Sequence, residues 1–442
     1  MKIQMPQAVK EIIATLQQNN FEAYAVGGCV RDSILGREPN DWDITTSASP
    51  EEVKALFRRT IDTGIEHGTV TVMVDKVGFE VTTYRIDGKY EDGRHPTEVT
   101  FTRNLKEDLL RRDFTINAMA YNDADGLVDI FGGLEDIKNK VIRCVGDPEA
   151  RFTEDALRLL RAIRFAAQLG YTIEDKTREA MKKIAGNLNK ISAERIQVEL
   201  VKTLVSPNPM MLKEAYELGL TRIFMPEFDT AMETDQHNRH HMYTVGMHTL
   251  VATANIRPDK VLRLAMLMHD LGKPRCITTD ENGIEHYYGH PAVSEKIASE
   301  ILHRLKFDND TIRKVCKLVR YHDERIVPGI KYMRRGIARI GEEAFPDLFE
   351  VQEADIMAQS EYQREEKLAT LASNRKDYEE IFSKNQCVSK ATLAVNGKDL
   401  IDCGMKPGKE IGKVLDSMLK DVIEEPEHNN KEYLLKKFLP KI

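Results

Sequence analysis

A chain of 442 residues exceeds what a single hydrophobic core usually holds, so two or more domains are expected. Its 41% apolar and 31% charged residues describe a helix-rich globular protein; there is no run of 18 apolar residues, and the charged N-terminus (MKIQMPQAVKEIIATLQQ) reads as neither membrane span nor signal peptide. A net charge of −7 denies it general basicity, so any phosphate contact falls to local arginine clusters; six scattered cysteines without a Cys-x-x-Cys pair read as reduced thiols of a cytoplasmic protein.

Residues 1 to about 20 predict an amphipathic helix with Pro6 near its first turn. The apolar run Ala23-Tyr24-Ala25-Val26 reads as a strand that delivers Gly27-Gly28 to a tight turn, after which Val30-Arg31-Asp32 begins a short helix. A second strand is expected to carry Asp41 and Asp43, which a period of two sends to one face. Two carboxylates so placed repel unless a divalent cation neutralises them, and Mg²⁺ is the natural occupant. The upstream glycines let backbone N–H groups approach a polyphosphate. GTVTVMVDKVGFEVTTYRI (68–86) predicts a hairpin turning at Asp75 to Gly78, in which Glu80 alternates with Phe79 and Val81 and is the choice for a third acidic residue.

Further along, LLRRDFTINAMAYN (109–122) places Arg111 and Arg112 beside Asp113, with Asn117 one helical turn beyond; paired guanidinium forks suit a triphosphate. From about 146 the period becomes helical. TEDALRLLRAIRFAAQLG (153–170) predicts one helix, N-capped by Thr153, with an apolar stripe and a polar face of Asp155, Arg158, Arg161 and Arg164 every three residues. In HHMYTVGMHTL (240–250), LMHDLGKP (267–274), Gly289-His290-Pro291 and YHDE (321–324), the residues His248, His269, Asp270, His322 and Asp323 are of the types that hold a divalent metal; mixed imidazole and carboxylate suits Mn, Ni, Co or Mg. Which aspartate closes that shell, 323 or another, is left open. A Lys/Glu-rich helical tail ends the chain, where Pro407-Gly408 precedes Lys409 and Lys413.

The ordered set Gly-Gly-x-Val-Arg-Asp, then Asp-x-Asp, resembles the class II DNA polymerase beta superfamily, the group of bacterial tRNA nucleotidyltransferases (CCA-adding enzymes) and poly(A) polymerases. The resemblance continues through Arg-Arg-Asp (111–113), Glu-Asp-x-x-Arg (154–158), the neck motif KISAERIQVEL (190–200) and the tail NGKDLIDCGMKPGKEIGKVL (396–415). It implies an α+β fold: a small mixed-sheet nucleotidyltransferase head with helices, followed by an elongated all-α body. It implies Asp41 and Asp43 as the Mg²⁺ ligands, with Glu80 as catalytic partner. Nucleotide contacts would come from Gly27, Gly28, Arg31, Arg112, Asp113 near the ribose, and Asp155 with Arg158 on the base edge, while Arg161 and Arg164 hold phosphate or orient Asp155. YEDGRHPTEVTF (90–101) resembles the flexible loop needed for adenosine addition.

The histidine-aspartate series matches the HD-domain pattern found in some bacterial members and implies a second divalent metal. The expected division is 1–145 catalytic head, 146–235 neck with the base-selecting helix, 236–345 HD-type domain and 346–442 tRNA-binding tail. The implied function is template-independent addition of C-C-A to tRNA from CTP and ATP, with no DNA or membrane partner. Addition of the terminal A alone and poly(A) synthesis stay open, as does a reading of another class, an HD phosphohydrolase or RNA-binding module with an inactive head.

Overall fold

The computed structural model describes residues 2–88, 99–237, 239–240 and 242–439, and the chain divides into two compact units, Met1–Phe224 and Met225–Ile442. In the first, α1 (Gln7–Gln18) follows Pro6 and buries Val9, Ile12, Ile13 and Leu16, the i, i+3, i+4, i+7 stripe of an amphipathic helix. Then come β1 (Ala23–Val26), α2 (Gly28–Ile34), β2 (Ile44–Thr46), α3 (Pro50–Leu56), β3 (Thr60–Gly64), β4 (Thr69–Val74) and β5 (Val77–Thr83). A short pair, β6 (Arg85–Asp87) and β7 (Val99–Phe101), precedes α4 (Leu105–Leu110), β8 (Met119–Asn122), β9 (Gly126–Asp129) and α5 (Gly133–Asn139).

The main sheet has seven strands in the order β3-β4-β5-β2-β1-β8-β9. All four residues of β1 are buried, as its unbroken apolar run requires of a central strand. The hairpin turns more tightly than the sequence suggests: Asp75 and Lys76 alone form its loop, both at positive φ, the twist that suits a two-residue turn. Only β2 and β5 run parallel within this sheet, with Ile44 opposite Val81.

Asp41 and Asp43 lie in the segment leading into β2 and not on a strand. The last paired residue of β2 on β1 is Ile44, opposite Ala25, and one rung beyond it Val26 N–H still donates to the Asp43 carbonyl (3.0 Å) before the chain turns at Gly27.

The helical part of the first unit consists of α6 (Pro148–Glu154), α7 (Leu157–Leu169), α8 (Asp175–Ile184), α9 (Ala193–Leu204), α10 (Leu212–Glu217) and α11 (Thr221–Phe224). The helix expected from Thr153 is broken in two. Asp147, not Thr153, is the N-cap, accepting from Ala150 N–H ahead of Pro148.

The second unit is built from α12 (Pro226–Met232), α13 (Val245–Asn255), α14 (Lys260–Met268), α15 (His290–Arg304), α16 (Asn309–Tyr321), α17 (Ile330–Ile340), α18 (Phe345–Ala358), α19 (Arg364–Ser383), α20 (Gly397–Asp402), α21 (Lys409–Glu424) and α22 (Lys431–Phe438). Helices α13, α14, α16 and α18 pack against one another, and α15 packs on α16. Towards the C-terminus a separate core gathers Val395, Leu400, Met418, Val422 and Leu434. Among the described residues no helix is long and apolar enough to cross a membrane.

Candidate active site

The turn between β1 and α2 organises the head. Gly27 has φ +84°, and a Cβ there would stand 3.1 Å from Arg112 Nη1, so the glycine lets a guanidinium lie against bare backbone. The Arg-Arg pair is gathered by a buried residue the sequence did not single out. Arg111 Nε donates to Asp108 Oδ1 (2.9 Å), and Arg112 Nη2 stands 3.5 Å from Asp108 Oδ2. Burial pushes the Asp108 carboxyl up, but the two arginines overcome it and hold it below the usual range.

Exposed Asp41, Asp43 and Glu80 open on the same region. Since Ile44 faces Val81 across the parallel pair, Asp43 and Glu80 occupy the adjoining rung, on the side opposite those buried apolar residues. The protein packed behind Asp43 raises its carboxyl above the usual range; Arg112 opposes this, and the charges of Asp41 and Glu80 add to it. Mutual repulsion of this kind is what a divalent cation relieves, so the donor set fits Mg²⁺.

A buried relay ties the remaining arginines together. Arg31 Nη1 donates to Asn117 Oδ1 (2.6 Å) and Arg31 Nε to Asp32 Oδ1 (2.9 Å). Asn117 Nδ2 donates to Asp113 Oδ1 (3.1 Å), whose other oxygen accepts from Arg161 Nε (2.7 Å). Burial would raise the Asp113 carboxyl, but Arg161 and then Asn117 hold it at about 2. Asp113 is thus engaged within the protein, linking Arg161 to Arg31. All three arginines Arg31, Arg161 and Arg164 lie over the Phe165 ring, at 5.1, 5.3 and 4.3 Å.

The break between α6 and α7 presents Asp155 at a junction. Its Oδ1 accepts from Leu157 N–H (3.0 Å), starting α7, and its Oδ2 accepts from Arg195 Nη2 (2.8 Å). Arg158 is held by Glu154 Oε2 (2.7 Å) and by the carbonyls of Arg151 and Arg111 (both 2.9 Å). Neither Arg161 nor Arg164 bonds to Asp155. Arg164 pairs with buried Glu199, Nε to Oε2 at 3.2 Å, and burial brings its guanidinium down to about 10. The neck motif on α9 therefore supplies two positioning residues, Arg195 and Glu199, one turn apart on a helix face. The loop expected over 90–101 lies outside the described residues as far as position 98.

In the second unit, His248 on α13, His269 and Asp270 at the end of α14, and His322 at the end of α16 come together, joined by His290 at the start of α15. Asp323 does not join them; its Oδ1 accepts from Arg325 Nε (3.2 Å). Asp355 on α18 takes that place, with Oδ1 2.9 Å from His248 Nε2. Adjacency to His322 made Asp323 attractive in the sequence, but the last turn of α16 points the two side chains apart. Burial would lower His269, yet Asp270 and Asp355 raise it to about 10, and both carboxyls stand well below their usual range.

Comparison with known proteins finds three family matches along the chain. The family described as "Poly A polymerase head domain" matches residues 23–143, that described as "Probable RNA and SrmB- binding site of polymerase A" matches 170–232, and a tRNA nucleotidyltransferase domain 2 family matches 290–438. The chain is 34% identical to the CCA-adding enzyme of Limosilactobacillus reuteri (strain DSM 20016) over 99% of this chain and 98% of that one. To the CCA-adding enzyme of Levilactobacillus brevis it is 51% identical over 50% of this chain and 55% of that protein. A solved structure of the Bacillus stearothermophilus CCA-adding enzyme in complex with CTP aligns at TM-score 0.72 and 30% identity, covering 98% of both chains. The Thermotoga maritima enzyme complexed with tRNA shares the fold at TM-score 0.57 and 21% identity.

Proposed function

This chain belongs to the family of CCA-adding enzymes, divalent-metal nucleotidyltransferases acting on tRNA 3′ ends, and on that premise we propose that it adds C, C and A from CTP and ATP without a nucleic-acid template. The observation that carries this reading is the meeting of Asp41, Asp43 and Glu80 with Arg112 beside the Gly27 turn. In the reaction the tRNA 3′ oxygen bonds to the α-phosphorus while the bond to pyrophosphate breaks. Asp41 and Asp43, with Glu80 beside them, would hold Mg²⁺, which lowers the pKa of the attacking hydroxyl and neutralises the leaving oxygens.

The chain's own groups do the rest. Gly27 and Gly28 let the triphosphate approach the backbone, and Arg31, fixed by Asp32 and Asn117, supplies charge from one side. Arg112, steered by Asp108, supplies it from the other. Asp155 retains lone pairs for the exocyclic amine that cytosine and adenine share, and Arg158 provides donors for ring nitrogen or carbonyl. Guanine and uracil place a carbonyl where that amine would be, so acceptor meets acceptor. Asp113 acts by holding Arg161 and Asn117, with any ribose contact made through that frame.

The functional segments remain 1–145 for the head, 146–235 for the neck, 236–345 for the HD-type region and 346–442 for a tRNA-gripping tail, with Asp355 lent to the HD centre from the last. Free cysteine thiols and a tRNA substrate favour a cytoplasmic protein. The buried His248–His269–Asp270–Asp355 group favours a second activity: metal-dependent hydrolysis of a phosphate ester, separate from nucleotide addition.

The test is extension of a tRNA transcript ending at the discriminator base, sized to single nucleotides. CTP alone should add two residues, and ATP should add a third only afterwards. Addition of A only to a supplied C-C end, or long A ladders, would overturn the full C-C-A reading.

A further inference from the structure

Helices α18 and α19 and the chain that leaves α16 line a cavity of about 230 Å³ in the second unit. Ile326, Ile356 and Leu371 give it apolar walls, and Asn374, only 5% exposed, borders it as well. Asn374 Nδ2 donates to the Ile326 carbonyl (2.9 Å). A carbonyl only accepts, so this bond fixes which way the amide is turned. It leaves Asn374 Oδ1 buried with no hydrogen-bond partner among the described residues. A buried acceptor in that state is costly unless something donates to it, and here the donor has to come from the cavity.

Helical spacing sets a cation at the other end. Lys367, Leu371 and Asn374 lie on one face of α19, and all three border the cavity. Lys367 and Asn374 are two turns apart, about 10 Å along the axis. Lys367 Nζ donates to Gln359 Oε1 (2.7 Å), and burial, then the charge of Arg325, draws its amine below the usual range. A bound anion relieves that crowding of positive charge. At this end the cavity adjoins a larger one, of about 790 Å³, over the histidine-aspartate group; His322, Asp323, Arg325 and Asp355 border both.

We infer that the smaller cavity binds the base of a mononucleotide, with Asn374 Oδ1 accepting from an exocyclic amine and the phosphate lying towards Arg325 and Lys367. Its volume of about 230 Å³ is below the roughly 300–1,000 Å³ of sites for drug-sized ligands, which suits one heterocycle and excludes a polymer. The apolar walls bury the faces of a flat ring. The single acceptor selects among bases: adenine and cytosine carry the amine, whereas hypoxanthine and uracil present a carbonyl in its place, so acceptor meets acceptor. The span of about 10 Å between Asn374 and Lys367 is the reach of a mononucleotide from base to phosphate. Binding calls for no metal. What becomes of the phosphate rests on the phosphate-ester reading given above, to which the inference adds a base preference and the residue that sets it.

Equilibrium dialysis tests this on the full-length D155A/R158A protein, whose head has lost its base-reading groups, with labelled AMP, CMP, IMP and UMP in the presence of EDTA. AMP and CMP should bind at least about tenfold more tightly than IMP and UMP, and N374L in the same background should lose that preference. The comparison of AMP with IMP needs no change at position 374, so it decides even where N374L is unstable. Equal binding of AMP and IMP, no binding of either, or AMP bound by N374L as tightly as without that substitution would overturn the base pocket. Mn²⁺-dependent hydrolysis of p-nitrophenyl phosphate, an ester without a base, reads the hydrolase activity separately. Its absence would overturn the hydrolase reading and leave the base preference standing.

Discussion

Removing Glu199 should destabilise the first unit far more than a single hydrogen bond would suggest. Glu199 and Arg164 are 4% and 7% exposed, so water screens their contact weakly. The contact is 3.2 Å from Nε to Oε2 and 3.4 Å from Nη1 to Oε1, and burial still draws the guanidinium down to about 10. Desolvation therefore outweighs the attraction of Glu199 for this cation even when the partner is present. Glu199→Ala leaves the cation buried against Phe165 with its carboxylate gone, a loss of about 3–5 kcal/mol. The double replacement R164M/E199L removes both charges and keeps the volume, and should cost about 1 kcal/mol or less. Urea unfolding followed by the fluorescence of Trp42, the single tryptophan, reports on this unit. A loss below about 1 kcal/mol in E199A, or a double variant as damaged as E199A, would refute the reasoning.

Base choice should depend on Arg195 as well as Asp155: R195A frees the Asp155 carboxylate and should raise UTP and GTP incorporation relative to CTP and ATP roughly tenfold to a hundredfold, about 1–3 kcal/mol, in competition assays. Asp113 has its carboxyl depressed from 3.8 to about 2, worth about 2 kcal/mol of stability. Because the folded value is the lower one, that contribution is present above about pH 4 and lost as pH falls towards 2. The deficit of D113N relative to the parent should therefore be full at pH 7 and shrink at pH 3, read by Trp42 unfolding. In the second unit, Mn²⁺ should raise the melting temperature of D323N as it does the parent's, and raise that of D355N much less; equal responses would remove Asp355 from the metal shell.

What the sequence disclosed was mostly what a short segment fixes by itself. The Gly27-Gly28 turn, the paired Arg111-Arg112 and the hairpin bearing Glu80 depend on neighbours a few residues away, and each lies where the pattern placed it. Thr153-Glu154-Asp155 misled because it has the composition of a helix start. The operative signal was Asp147-Pro148, six residues upstream, and Asp155 instead caps α7 from the break. Asp355 and Arg195 were hidden for another reason. They meet their partners across 107 and 40 positions, and nothing in the local period of α18 or α9 marks one polar residue over another until helix packing selects it. His290 stood in a quoted Gly-His-Pro segment, but its role appears only once α15 and α16 pack and bring it to His322.

The most direct test of the account is single-turnover CTP addition to a tRNA lacking its C-C-A end by Asp43→Asn, beside the unaltered protein and H269A. Metal-supported stabilisation of the reacting oxygens is worth several kcal/mol, so D43N should slow addition roughly a thousandfold or more with Trp42 unfolding intact. H269A should add CTP at a rate close to that of the unaltered protein, since His269 belongs to the second unit. Addition by D43N within about tenfold of the unaltered protein, or its abolition in H269A alone, would contradict the assignment of nucleotide transfer to the carboxylates of the head.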